Sequence, residues 1–125
     1  MPVRSASQVP MRPVSAGRGV FIQVLIPPEE GPHFAMRRFT IQPGGWMPQH
    51  TNQVEHEQYV LQGRARIAIG DTVYDVGPGD VVFIPAGVPH WYKNVGEEDF
   101  VFLCLVPNRP DQLTILDPRE PDITD

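Results

Sequence analysis

The chain has 125 residues, room for one compact domain, and ten basic against fifteen acidic residues leave it a net charge of −5. That balance argues against a nucleic-acid partner, which would require a basic face. No stretch has the length of a membrane span or the apolar core of a signal peptide, and the single cysteine, Cys104, excludes an internal disulfide; a cytoplasmic protein without a membrane partner is expected.

Fifteen prolines and eleven glycines punctuate short apolar runs, and no window carries a sustained helical period. This is the texture of an all-β domain. Residues 1–18, rich in Pro, Ser and Arg, read as an extended arm without a core of its own. The domain proper is expected over 19–107. It opens with a strand at 20–26 whose apolar character on both faces calls for cover, which suggests a subunit interface and a homodimer. A second strand spans about 35–42, ended by Pro43-Gly44-Gly45, after which Met47-Pro48-Gln49-His50 reads as a polar loop. Further strands are expected near 55–62, 64–69, 72–76, 81–85, 89–94 and 99–106, joined by glycine-bearing turns. Roughly eight short strands fit a jelly roll or a closed barrel. The last segment, 108–125, is acidic and proline-rich and reads as a tail draped over the surface or without fixed structure.

Of four histidines, His50 follows the glycine-rich turn, His56 begins a strand and His90 follows Pro85-Ala86-Gly87-Val88-Pro89. Imidazoles on separate strands can converge inside a barrel, and neutral imidazole suits Mn, Fe, Co, Ni, Cu and Zn. Asn52 shares a face with His50 if the backbone there is extended; it reads either as a fourth ligand or as a turn-stabilising side chain. The fourth histidine, His33, reads as an ordinary loop residue, and Glu55 and Glu57 as surface or supporting groups. By the same alternation Tyr92 faces inward with His90, Arg37 shares a face with Phe39, and Phe102, Cys104 and Val106 share a face of the last strand. Phe102 and Cys104 read equally well as plain core, and Arg37 as a solvated strand residue.

The stretch Gly44-x5-His50-x-Asn52-x3-His56-x6-Gly63 resembles the first motif of the cupins, and Gly79-x5-Pro85-x-Gly87-x2-His90-x3-Asn94 resembles the second at every position. The resemblance covers about residues 20–107 and implies a double-stranded β-helix, the jelly-roll barrel of that family. The chain is especially similar to small bacterial cupins that bind manganese through four histidines. Here Asn52 stands in place of one histidine and His56 in the slot usually held by Glu. The resemblance implies one divalent transition-metal ion per chain, manganese or iron first and zinc, nickel, cobalt or copper as alternatives, held by His50, His56, His90 and Asn52. It further implies a substrate space surrounded by Arg37, Met47, Phe102 and Cys104, with Arg37 as the cation for a carboxylate or enolate. No catalytic residue is identifiable. The expected function is a metal-dependent, dioxygenase-like oxidoreductase acting on a small organic molecule. The alternatives are a non-redox isomerase or lyase on a sugar acid or keto acid, and a non-catalytic module that binds a small ligand.

Overall fold

The computed structural model describes residues 2–122. The outermost residues of the expected arm and tail, 1 and 123–125, lie outside the described residues. Among the described residues a single 3-10 turn, Ala6–Gln8, precedes ten strands: β1 Arg12–Pro13, β2 Arg18–Ile26, β3 Phe34–Thr51, β4 His56–Gln62, β5 Ala65–Ile69, β6 Thr72–Val76, β7 Val81–Ile84, β8 His90–Asn94, β9 Phe100–Pro107 and β10 Thr114–Asp117. All pair antiparallel in one curled sheet, ordered β6-β5-β8-β3-β9-β4-β7, with β2 and β10 also on β3 and β1 on β2. The fold is the expected all-β jelly-roll barrel.

Strand alternation decides what enters the barrel. In β4, His56, Gln58 and Val60 are buried while Glu57, Tyr59 and Leu61 face out. In β8, His90, Tyr92 and Asn94 are buried. The register lines these residues into rows: Arg37, Cys104, Gln58 and Val82 lie side by side across β3, β9, β4 and β7. The next row is Ile22, Phe39, Phe102 and Val60. Ile41, Ile67, Ile84 and Phe100 close the apolar part of the core with no solvent exposure.

One expectation fails instructively. The second strand does not end at Pro43-Gly44-Gly45, and the segment to His50 is not a polar loop: β3 runs on to Thr51, and Met47 and Pro48 are buried. The glycines bend the strand instead of ending it. Gly44 has φ +78°, and a Cβ on Gly45 would stand 2.8 Å from the Arg18 carbonyl oxygen and 2.9 Å from that of Gln42. Before the bend β3 pairs with β2 and β9; after it, with Arg18 at the start of β2 and then with β8 and β10. The bend therefore carries His50 from one side of the barrel to the other.

Both terminal segments lie along the chain's own barrel. Gln23 Nε2 donates to the carbonyls of Ala6 and Val9 at 2.9 and 3.0 Å, and Val14 and Ala16 pack on the core. The N-terminal segment thus covers part of β2. At the other end Ile115 of β10 pairs opposite His50, and Lys93 is bridged to Glu120 at 2.7 Å. Adjacent strands β4 and β7 also expose apolar side chains, at Tyr59, Val81 and Phe83.

Candidate metal centre

β3 delivers His50 and β8 sets His90 directly opposite it, because the two residues are register partners. β4 begins with His56. Asn52 follows the end of β3, and its backbone carbonyl accepts a hydrogen bond from the Gly87 N–H at 2.8 Å. That bond ties the first histidine motif to the glycine turn of the second. The terminal Asn94 of the second motif is structural. Its amide donates to the carbonyls of Ile41 and Glu98 at 2.8 and 2.9 Å, while its Oδ1 accepts from Gly96 N–H at 2.8 Å.

His90, His50, His56 and Asn52 are 1, 3, 6 and 7% exposed. The ring centres of His50 and His90 are 4.2 Å apart, and those of His56 and His90 5.8 Å. Burial lowers the pKa of all three imidazoles. His90 is held at about 4, with the neighbouring His50 adding to the effect, and His56 at about 3, with the Arg37 cation adding to it. At neutral pH all three are uncharged, the form in which imidazole binds a metal.

Each ring is oriented through Nδ1. His50 Nδ1 faces the Pro48 carbonyl at 2.7 Å and His90 Nδ1 the Val88 carbonyl at 2.9 Å. A carbonyl only accepts, so the ring proton sits on Nδ1 and the Nε2 lone pair is directed away. His56 Nδ1 has two neighbours, Cys104 Sγ at 3.2 Å and Arg37 Nη2 at 3.4 Å. The guanidinium only donates, which leaves the sulfur as the acceptor for an Nδ1–H there.

Among the described residues no three His, Cys, Asp or Glu side chains are gathered tightly enough to enclose an ion unaided. His50 and His90 form a close pair, while His56 leans toward Arg37 and Cys104. The donor set nevertheless fits a divalent ion. The Nε2 atoms of His56 and His90 and the Oδ1 of Asn52 are buried and have no hydrogen-bond partner. Buried polar atoms without partners are costly, and these three belong to residues of one neighbourhood. His50, His56, His90 and Asn52 are the residues that could hold the ion.

They line a cavity of about 360 Å³ together with Arg37, Met47, Tyr92 and Phe102. Of the five residues read as lining the substrate space, Tyr92 included, Arg37, Met47, Tyr92 and Phe102 lie on this wall. The fifth, Cys104, is fully buried behind the wall. Its sulfur is occupied by Arg37 Nη2 at 3.2 Å as well as by His56. Phe39, Phe102 and Tyr92 form a continuous stack with centroid spacings of 5.3 and 5.4 Å, and the Arg37 guanidinium lies 5.0 Å from the Phe39 ring centre. Gln58 donates to the Tyr92 hydroxyl at 2.7 Å. Sequence reasoning passed over Gln58 although alternation from His56 points to it, and over Val14 and Leu113, whose places on the cavity wall come from distant termini. Trp46 and Trp91 are not on the wall. His33 lies outside the barrel with Glu55, Glu57 and Arg109, around a separate depression of about 420 Å³.

The chain is 32% identical over 88 residues to 1-methylthio-D-xylulose 5-phosphate methylsulfurylase of Rhodospirillum rubrum, an alignment covering 70% of this chain and 55% of that protein. It is 31% identical over 70 residues to oxalate decarboxylase of Bacillus subtilis, covering 51% of this chain and 18% of that one. The chain thus spans about half the length of the first of these curated relatives and less of the second. Among solved structures, the polyketide cyclase from Streptomyces resistomycificus superposes with a TM-score of 0.84 at 28% identity, covering 94% of this chain and 86% of that one. The family model described as Cupin domain matches residues 37–106, and the chain belongs to that family.

Proposed function

We propose that the barrel interior is a mononuclear metal centre held by His50, His56 and His90 with Asn52 as a fourth ligand, and that the protein is a metal-dependent enzyme acting on a small organic molecule with an anionic oxygen. The observation that carries this reading is the meeting of unpartnered, buried ligand atoms on His56, His90 and Asn52 with one guanidinium, Arg37, in a shared cavity. When bound, the ion supplies Lewis acidity toward a substrate oxygen, and manganese or iron would add redox chemistry.

The chain's own residues supply the rest. Arg37 Nε is buried without a partner, so the guanidinium has a donor to spare for a carboxylate or enolate. Cys104 and the Phe39 ring hold that group in place. The Phe39–Phe102–Tyr92 stack offers a flat wall to a planar substrate, and Ile22, Ile41 and Met47 complete an apolar surround that excludes water. Val14 from the N-terminal segment and Leu113 from the C-terminal segment form part of the enclosure.

Two chemistries fit this site. The dioxygenase-like one is supported by the neutral donor set around a cavity of about 360 Å³ and requires a redox-capable ion. The non-redox one, isomerisation, lyase or ring-closing chemistry, is favoured by the likeness to a polyketide cyclase over nearly the whole chain. One experiment separates them: metal-free protein is reloaded with Fe(II), Mn(II) or Zn(II), then mixed with a panel of small aromatic and aliphatic carboxylates and hydroxyketones. Oxygen uptake restricted to the iron or manganese protein identifies the oxidoreductase. Equal turnover with zinc and no oxygen uptake identifies the non-redox enzyme. Binding without turnover across the panel contradicts the enzymatic reading.

A further inference from the structure

Asn52 presents a puzzle of orientation. An amide has an oxygen face and an NH2 face of nearly equal size, and only the oxygen can bind a cation. Nothing in either histidine motif fixes which way it points. The structure supplies the missing constraint from the far end of the chain. Asn52 Nδ2 donates to Asp111 Oδ2 at 3.1 Å, and the second carboxylate oxygen of Asp111 accepts from the backbone N–H of Gln53 at 2.6 Å. Gripped at both oxygens, the carboxylate is held in place, and because it only accepts, it must face the NH2 side of the amide. Asn52 Oδ1 is thereby turned away from Asp111, and it is buried with no partner, as are the Nε2 atoms of His56 and His90. Asn52 itself lines the cavity with those histidines. The backbone of Asn52 is pinned as well, through the Gly87 N–H, so the side-chain torsion is the freedom that Asp111 removes.

We infer that Asp111 is a positioning residue that makes Asn52 a ligand, by holding its amide with Oδ1 toward the ion. The inference rests on the metal-centre reading above and adds to it that the C-terminal segment, outside the histidine motifs, completes the ligand set. The charge of Asp111 acts in the same direction. Its carboxylate, bonded to the Asn52 amide, places a negative charge beside an otherwise uncharged donor set and favours a divalent cation.

The test is a Zn(II) titration of the full-length, metal-free chain in competition with a chromophoric chelator. Groups that orient ligands are worth roughly 10–100-fold in metal affinity, so Asp111→Ala is expected to weaken zinc binding by that factor, about as much as Asn52→Ala. A second pair of variants separates positioning from general support of the fold. In Asn52→Ala there is no amide left to orient, so adding Asp111→Ala to it should leave zinc affinity within about twofold of Asn52→Ala. Unchanged affinity in Asp111→Ala, with Asn52→Ala impaired, overturns the inference while the metal centre stands. An equal loss on adding Asp111→Ala to Asn52→Ala overturns it too, since the carboxylate then supports the fold and not the amide. If His50→Ala and His90→Ala bind zinc as tightly as the parent, the metal-centre reading fails and the inference falls with it.

Discussion

Each buried imidazole is a choice between proton and metal, and burial weights that choice. With His90 held at about 4 and His56 at about 3, the folded metal-free chain refuses protons that the unfolded chain accepts below about 6.5. The unfolded state then binds more protons, so stability rises with pH across that interval. The metal-free protein is predicted to be most stable above about pH 6.5 and to lose stability progressively toward pH 4. Chemical denaturation at a series of pH values measures this, and a flat profile over that range contradicts it. Replacing His56 and His90 by Gln should flatten it. Arg37 carries a second residue-level prediction. Arg37→Met keeps the stem and removes the charge, so binding of a carboxylate ligand should weaken by roughly 1.5–3 kcal/mol, as for a hydrogen bond to a charged group. Calorimetric titration with the same carboxylate decides it, and undiminished affinity would remove Arg37 from the substrate site. At this scale the sequence is legible where spacing carries chemistry. Motif spacing picked out His50, His56 and His90, strand alternation put Tyr92 inward beside His90, and the family resemblance chose the face of the last strand that carries Phe102; Tyr92 and Phe102 line the cavity. Alternation cannot tell a wall residue from one behind it, which is why Cys104 falls out of the cavity. Asp111 left no local signal because its contact with Asn52 spans 59 positions.

At the scale of elements, the glycines differ in what they do, and their surroundings say how. Gly63, at φ +82°, follows β4, and a Cβ there would collide with the Asp99 carbonyl oxygen and stand 2.9 Å from Phe100 Cα. Gly44, at φ +78°, has open space around it. Gly44→Ala should lower stability by only about 1–2 kcal/mol, the left-handed penalty, whereas Gly63→Ala adds a collision with rigid backbone and should lower it further. Urea unfolding midpoints of the two variants test the ranking, and equal midpoints contradict it. The positions of β4 to β9 were readable because turn residues bracket alternating runs. β3 was misread because Pro-Gly-Gly signals a break as strongly as a bend, and only the pairing partners distinguish them. β1 and β10 were invisible for a related reason: Arg12–Pro13 and Thr114–Asp117 are short, and their strand character comes from the edge they join.

For the whole molecule, β2 is partly shielded by the chain's own N-terminal segment, and one apolar face that asks for cover lies on β4 and β7. Tyr59, Val81 and Phe83 are 49, 76 and 55% exposed on adjacent strands. We propose that the chain forms a homodimer and that this face takes part. Sedimentation at micromolar concentration should give twice the 14.0 kDa chain mass, and Val81→Ser with Phe83→Ser should return it toward the monomer. A monomeric parent contradicts the proposal. Among the described residues no helix is long and apolar enough to cross a membrane.

The account depends most on one ion being held by imidazoles from three strands of a single barrel, and X-ray absorption at the zinc edge of the reloaded protein addresses this directly. The expected result is one zinc per chain with a shell of nitrogen and oxygen scatterers at about 2.0–2.1 Å and the multiple-scattering signature of three imidazoles. A sulfur shell near 2.3 Å, which would make Cys104 a ligand, or a spectrum with fewer than three imidazoles, would contradict it.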